Sequence, residues 1–276
     1  MKNSNPYLGD AFAFYKKVCA KKQDAALKAR LLAMDVNIQA FYQDYDQHFA
    51  GNVLEQMAPA GYVDLQRADL HELYDFKSAA LKKLNADLST TETGRVIKCQ
   101  QCTINDVHTF DHIVPQGEFA EFVVHPKNLI GSCSDCNARK SHVWRNAGRR
   151  TSLNLYLDIL PDVQYLYVRA DVGNRSINTE YYLENRNGVD PALFALLEEH
   201  YRRLNLFQRF ADGSDTVISS LRNILEPMHV LGDPALVRQI VEGSVSRDKK
   251  AFGHNYWQSV LKMALLDDED FMIDFQ

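Results

Sequence analysis

Two CxxC pairs, Cys99 with Cys102 and Cys133 with Cys136, stand thirty residues apart and constrain this chain more than any other feature. A CxxC turn is tight enough to aim two sulfurs at one point, and two such turns complete the tetrahedron that structural zinc prefers. Four thiolates leave no open coordination position, so the ion expected here is structural, and its binding should help fold the segment around it. Disulfide or redox chemistry is the alternative at a CxxC, and the presence of two pairs weighs against it. The fifth cysteine, Cys19, lies in a helical apolar pattern and reads as a small buried hydrophobe.

At 276 residues, 46% hydrophobic and 24% charged, the chain can bury an ordinary core in one large domain or two modest ones, and disordered or collagen-like classes are excluded. The opening MKNSNPYLGDAFAFYKK has no uninterrupted apolar run, and no window reaches the roughly 18 apolar residues of a membrane span. A cytoplasmic location without a membrane partner is therefore expected.

The net charge of -5 hides an uneven distribution. Residues 95–150 hold eight Lys or Arg against five Asp or Glu, leaving 23 against 31 elsewhere. The basic charge concentrates in Arg139, Lys140, Arg145, Arg149 and Arg150, within a segment from Asn137 to Arg150 that has no acid. Such a stripe is either a footprint for a polyanion or a solvated helix face.

The hydrophobic spacing divides the chain into three regions: a helical region 1–92, a Cys-, His- and Asn-rich module 93–150, and a mixed region 151–276. Helix is expected over 10–49 and 65–88, with a Gly- and Pro-containing break at 50–61. Two strands, 164–172 and 177–184, read as a hairpin. Helices are expected at 191–204, 216–225, 234–243 and 256–266. The closing LLDDEDFMIDFQ is an acidic tail with interspersed apolar residues, expected to be solvated or docked on its own domain, with partner binding or autoinhibition as the alternative.

Between and after the CxxC pairs stand Asp111-His112-Ile113-Val114-Pro115, then Asn128-Leu129-Ile130, then Cys136-Asn137-Ala138-Arg139-Lys140. The stretch FDHIVPQ…HPKNLIGSCSDCNARK resembles the pattern of the HNH (ββα-metal) nucleases, with Asn in the third position. It is similar to the H-N-N variants with a four-cysteine zinc knuckle, such as endonuclease VII-type enzymes, and the resemblance covers about residues 95–145. It implies a central ββα-metal module; with the flanks as read from hydrophobic spacing, the expected fold is α+β and mainly helical, with a helical N-terminal region and a C-terminal region of hairpin plus helices.

Phosphodiester hydrolysis needs an activated water, a cation on the phosphate oxygens and stabilisation of the leaving oxygen. His112, with an ordinary pKa of about 6.5, can serve as base at neutral pH. Asp111 would point to the other side of a regular strand, so joint action with His112 calls for a twisted or bulged strand end. Asn137, expected at the start of a helix, offers a neutral oxygen. The resemblance implies that Asp111 and Asn137 hold one catalytic Mg²⁺ or Mn²⁺, and that Asn128 pins the loop orienting His112. Taken singly, these residues read as strand-end, turn or cap residues.

His108 and His125 are candidates for contacts behind the site or to phosphate. His142 is offered for an extra metal ligand, one residue out of register. His48, His71, His200, His229 and His254 read as structural, and Trp144, Tyr165 and Tyr167 as packing rather than base stacking. Lys140, Arg145, Arg149 and Arg150 are expected on backbone phosphates.

The function expected is a metal-dependent endonuclease hydrolysing DNA. The alternatives are a catalytically inactive zinc-knuckle nucleic-acid-binding module and an RNA-cleaving nuclease. The long flanks suggest target recognition, self-association or docking to a protein such as an ATPase subunit, and the general habits of such nucleases suggest bacterial antiphage defence or restriction.

Overall fold

A computed structural model describes residues 1–91, 94–95, 98–173, 176–228 and 234–275. His229 and residues 174 and 175 of the expected hairpin turn lie outside the described residues. The chain is α+β, largely helical with small two-stranded antiparallel sheets, and divides into two compact units.

The first unit comprises residues 4–100 and 105–158. It contains α1 (Ala11–Ala20), α2 (Ala25–Ala50), α3 (Asp64–His71), α4 (Ala79–Ser89) and a minimal pair, β1 (Thr90–Thr91) with β2 (Gly94–Arg95). Then come β3 (Thr109–His112), β4 (Leu129–Ser132), α5 (Ser134–Lys140), and β5 (Arg145–Asn146) paired with β6 (Arg149–Arg150). The sequence separates residues 1–92 from 93–150, but helices from the first of these regions and strands from the second pack into this one unit.

The helical run expected over 10–49 is two helices, because the Asp24 carboxylate accepts the N–H groups of Ala26 and Leu27 and caps a new start. The run expected over 65–88 is also divided. α3 stops at His71, Asp75 accepts the Lys77 N–H in the turn that follows, and Ser78 caps α4 through the Leu81 N–H.

The buried face of α2 carries Leu31, Met34, Ile38, Tyr42, Tyr45 and Phe49. Its aromatic end packs on the loop between β3 and β4, with Tyr45 4.8 Å from Phe122 between ring centroids. Near the end of the unit, Arg150 clamps Asp158 with two hydrogen bonds of 2.7 and 2.8 Å. Burial opposes the charge on Asp158, yet Arg150, the Asn52 amide and the Asn154 N–H together hold its carboxyl below the ordinary range.

The second unit comprises residues 1–3, 101–104 and 159–276. Its hairpin, β7 (Leu166–Val172) with β8 (Ile177–Leu183), pairs in regular antiparallel register from Leu166↔Leu183 to Val172↔Ile177. Helices follow as α6 (Pro191–Arg203), α7 (Leu206–Asp212), α8 (Ser214–Met228), α9 (Pro234–Phe252), α10 (Trp257–Leu266) and α11 (Glu269–Met272). α7 has no counterpart among the expected elements, and α9 runs well past 243.

Phe210 stacks on Trp257 at 5.3 Å, with Tyr181 against both rings. Asn255 accepts the N–H groups of Tyr165 and Leu166 and donates to the Val163 carbonyl, tying the start of the hairpin. The acidic tail is docked: Asp268 caps α11 and Phe271 is buried. Among the described residues no helix is long and apolar enough to cross a membrane.

Candidate functional site

All five cysteines are free of disulfides, and the sulfurs of Cys99, Cys102, Cys133 and Cys136 lie within 4.8 Å of one another with all four residues buried. A tetrahedral zinc with Zn–S of about 2.3 Å needs sulfurs roughly 3.8 Å apart, so small adjustments would close this cluster on one ion. Each pair also turns a backbone donor onto sulfur. The Cys136 N–H meets Cys133 Sγ and the Ile104 N–H meets Cys102 Sγ, both at 3.4 Å, as donors that would offset the charge of sulfur ligands to a metal. The four cysteines thus fit a structural zinc.

β3 and β4 pair antiparallel with Asp111 opposite Ile130 and His112 opposite Leu129, and α5 follows directly and packs on β3. α5 begins at Ser134, inside the second CxxC, with Cys133 as its cap; Asn137 is therefore mid-helix and not at the helix start. The pairing contains no bulge. Phe110 and His112 meet the segment after α3, through Phe76 at 5.3 Å and Tyr74 at 4.9 Å between rings. Asp111 instead meets α5, as strand alternation requires.

His112 is buried, and its Nε2 lies 2.9 Å from the Val123 carbonyl. A carbonyl can only accept, so Nε2 carries the proton and the neutral ring keeps its lone pair on Nδ1. Burial pushes the His112 pKa down to about 4; the Val123 carbonyl and Asp111 oppose that shift, while Lys140 and His71 add to it. The ring is accordingly neutral at pH 7, with a base nitrogen of fixed identity.

Asn128 is fully buried and secures the loop that carries Val123. Its Oδ1 accepts the Val114 N–H at 2.8 Å, and its Nδ2 donates to the carbonyls of Val114 and Phe122, each at 3.1 Å. The Tyr45 hydroxyl adds a contact to Oδ1 at 3.3 Å, and the Asn128 carbonyl accepts the Ile113 N–H at 2.9 Å. One amide thus ties both ends of a loop of more than ten residues next to the imidazole.

Asp111 is 3% exposed and its Oδ1 accepts from the Lys140 ammonium at 2.9 Å. Lys140, 5% exposed, also donates to the His112 carbonyl. Asn137, half-buried, sits one helical turn before Lys140 and so on the face of α5 turned towards β3.

The basic stripe is largely spent inside the unit. Lys140 pairs with Asp111 and Arg150 with Asp158, while Arg145 donates to the carbonyls of Glu55 and Met57, pairs with Glu118 and lies over the Trp144 ring at 4.6 Å. Arg139 and Arg149 are exposed. The expectation of five side chains facing a polyanion therefore does not describe this structure; in it, the absence of acids within the stripe is offset by acids from other parts of the unit.

Among the histidines, His125 is fully buried against Tyr42 at 4.4 Å and Tyr45 at 4.2 Å. His108 and His142 are exposed. Tyr165 is core, whereas Tyr167 is half-exposed, stacks on Tyr182 and has Arg186 over its ring at 4.3 Å. Two residues near His112 were not assigned to the site from sequence, where His71 reads as structural. The Tyr74 hydroxyl donates to the Phe110 carbonyl and accepts its N–H, and His71 Nε2 lies 3.0 Å from the Gln116 carbonyl. Their spacing of three on a helix pattern is all the sequence offered.

No family model matches the chain, and no solved structure matches it. The chain is 25% identical over 187 residues to "Protein ea31" of Escherichia phage lambda, a match covering 63% of this chain and 63% of that protein.

Proposed function

We propose that the β3–β4–α5 segment is the active site of an HNH-type, metal-dependent endonuclease, with the four cysteines holding a structural zinc. The observation that supports this most is the fixed imidazole: Nε2 is committed to Val123, so Nδ1 is the one ring atom free to take a proton from water. The loop that presents Val123 is held by Asn128, which acts as a positioning residue without touching substrate.

Asp111 and Asn137 supply the hard oxygen donors that suit Mg²⁺ or Mn²⁺, on a strand and on the helix packed against it. A divalent ion bound there would offset the charge developing on the phosphate and leaving oxygens. The regular β3–β4 pairing sends Asp111 and His112 to opposite sides of the strand, so catalysis here requires the β3 end to turn the imidazole towards the same phosphate; His112 Nδ1 would then accept the proton of the attacking water, giving imidazolium that the neighbouring Asp111 charge favours. Arg139 and Arg149, exposed on α5 and beyond it, would position the nucleic-acid backbone.

The test is cleavage of plasmid DNA and of matched RNA by zinc-loaded protein with Mg²⁺, Mn²⁺ or chelator, for wild type and His112→Ala. We expect metal-dependent cutting that falls at least about 10²-fold in the variant while zinc content and melting persist. Undiminished cutting by His112→Ala would reject the base. Nucleic-acid binding without any cutting would instead support a zinc-knuckle binding module, and cutting of RNA alone a ribonuclease.

A further inference from the structure

The ammonium of Lys140 stands where a cation of the proposed site would have to go. It lies 2.9 Å from Asp111 Oδ1, both side chains are about 5% exposed, and its second acceptor is the carbonyl of the neighbouring His112. This is a desolvated ion pair, in which the Lys140 charge is met by the Asp111 carboxylate and the His112 carbonyl. A hard divalent ion on the same carboxylate would sit about 2.1 Å from its oxygen. The two cations would then be only a few ångströms apart with little water between them, a strongly repulsive arrangement.

We infer that Lys140 is a resident counter-ion of Asp111 that is exchanged for the divalent cation, and that a nucleic-acid phosphate drives the exchange by giving the ammonium a new anionic partner. This rests on the nuclease reading of the site. The position of the lysine suits such an exchange. Lys140 is the last residue of α5, and Ser141 leaves the helix with φ 54, so a rotation of the flexible side chain moves the ammonium without unwinding helical backbone. Asn137, one turn earlier on the same face, stays in place to share the incoming ion with Asp111. Between substrates, the lysine keeps the buried carboxylate paired. The metal site is then completed only when phosphate is present, and the side chain that held it closed becomes a phosphate contact.

Manganese binding measures this directly, by the paramagnetic resonance signal of free Mn²⁺ titrated with zinc-loaded full-length protein. The proteins compared are His112→Ala, which cannot consume DNA, and the same chain with Lys140→Gln, Lys140→Arg or Asp111→Asn added, each with and without a short DNA duplex. Without DNA, we expect Lys140→Gln to bind Mn²⁺ at least tenfold more tightly than its parent, and Lys140→Arg to bind no better than the parent. The duplex should tighten Mn²⁺ binding by the parent at least tenfold and change Lys140→Gln little. Parent and Lys140→Gln binding Mn²⁺ equally, with or without DNA, would overturn the exchange while leaving the metal site standing. No Mn²⁺ bound by any form, even with DNA, would overturn the nuclease reading and the exchange with it. Should Lys140→Gln fail to fold, the ¹⁵Nζ resonance of Lys140 in the His112→Ala protein decides. It should shift when Mg²⁺ and duplex are added together, and an unmoved resonance under those conditions would overturn the exchange.

Discussion

Asn128→Ala is the sharpest test of how this site is held, because its consequence follows from hydrogen bonds alone. The side chain is fully buried and makes four polar contacts, to the Val114 N–H, the Val114 and Phe122 carbonyls and the Tyr45 hydroxyl. Val114 and Phe122 are themselves buried, so water cannot replace the lost partners without opening the loop. A buried polar group left unpaired costs about 1–3 kcal/mol, and the truncation strands at least two with strong geometry, giving roughly 3–5 kcal/mol after partial relaxation. In a unit of this size each kcal/mol moves Tm by about 2–4 °C, so a fall of roughly 6–20 °C is expected by calorimetry of the zinc-loaded protein. The Nε2–H proton of His112 should also exchange faster with solvent, since the Val123 carbonyl it donates to belongs to the same loop. A variant within about 1 kcal/mol of wild type, with His112 protection unchanged, would refute the claim that this amide organises the loop.

Two further outcomes are specific. Cys99→Ser should release the zinc and lower the melting temperature, measured by metal analysis and calorimetry; unchanged stoichiometry and melting would remove Cys99 from the ligand set. The two buried imidazoles should make the protein acid-sensitive. Burial lowers the pKa of His112 to about 4 and that of His125 well below its ordinary value, the latter helped by Lys127. The unfolded chain therefore takes up protons below about pH 6.5 that the folded chain refuses, and stability falls as pH drops from about 6.5 towards 4, by about 3 kcal/mol from His112 alone. His125→Phe, placed in the cage of Tyr42, Tyr45 and Phe122, should flatten that fall, as followed by urea unfolding from pH 7.5 to 5; an unaltered pH profile would reject the assignment.

What the sequence disclosed and what it withheld divide along a physical line. Cysteine spacing fixes where sulfurs can point within a few residues, so four thiols converging on one point could be read directly, whereas the twisted or bulged strand end expected at Asp111 and His112 is not seen in the regular β3–β4 pairing. The two breaks in the N-terminal helices were written in single residues, Asp24 and Ser78, whose capping bonds outweigh a continuous apolar rhythm. Charge pairing has no such local signature. A run of basic residues without an acid looks solvent-facing, yet Glu118 reaches Arg145, Glu55 and Asp158 reach Arg150, and a strand 29 residues away delivers Asp111 to Lys140. For the same reason Tyr74 and His71 were not placed at the site, although Tyr74 bonds Phe110 in β3 and His71 reaches the Gln116 carbonyl in the loop that follows. Local spacing thus reveals what a site could bind, but which of its charges remain available to a ligand is decided by long-range packing. That is why the lysine at position 140, read from sequence as one phosphate contact among several, stands in the structure as the buried partner of Asp111.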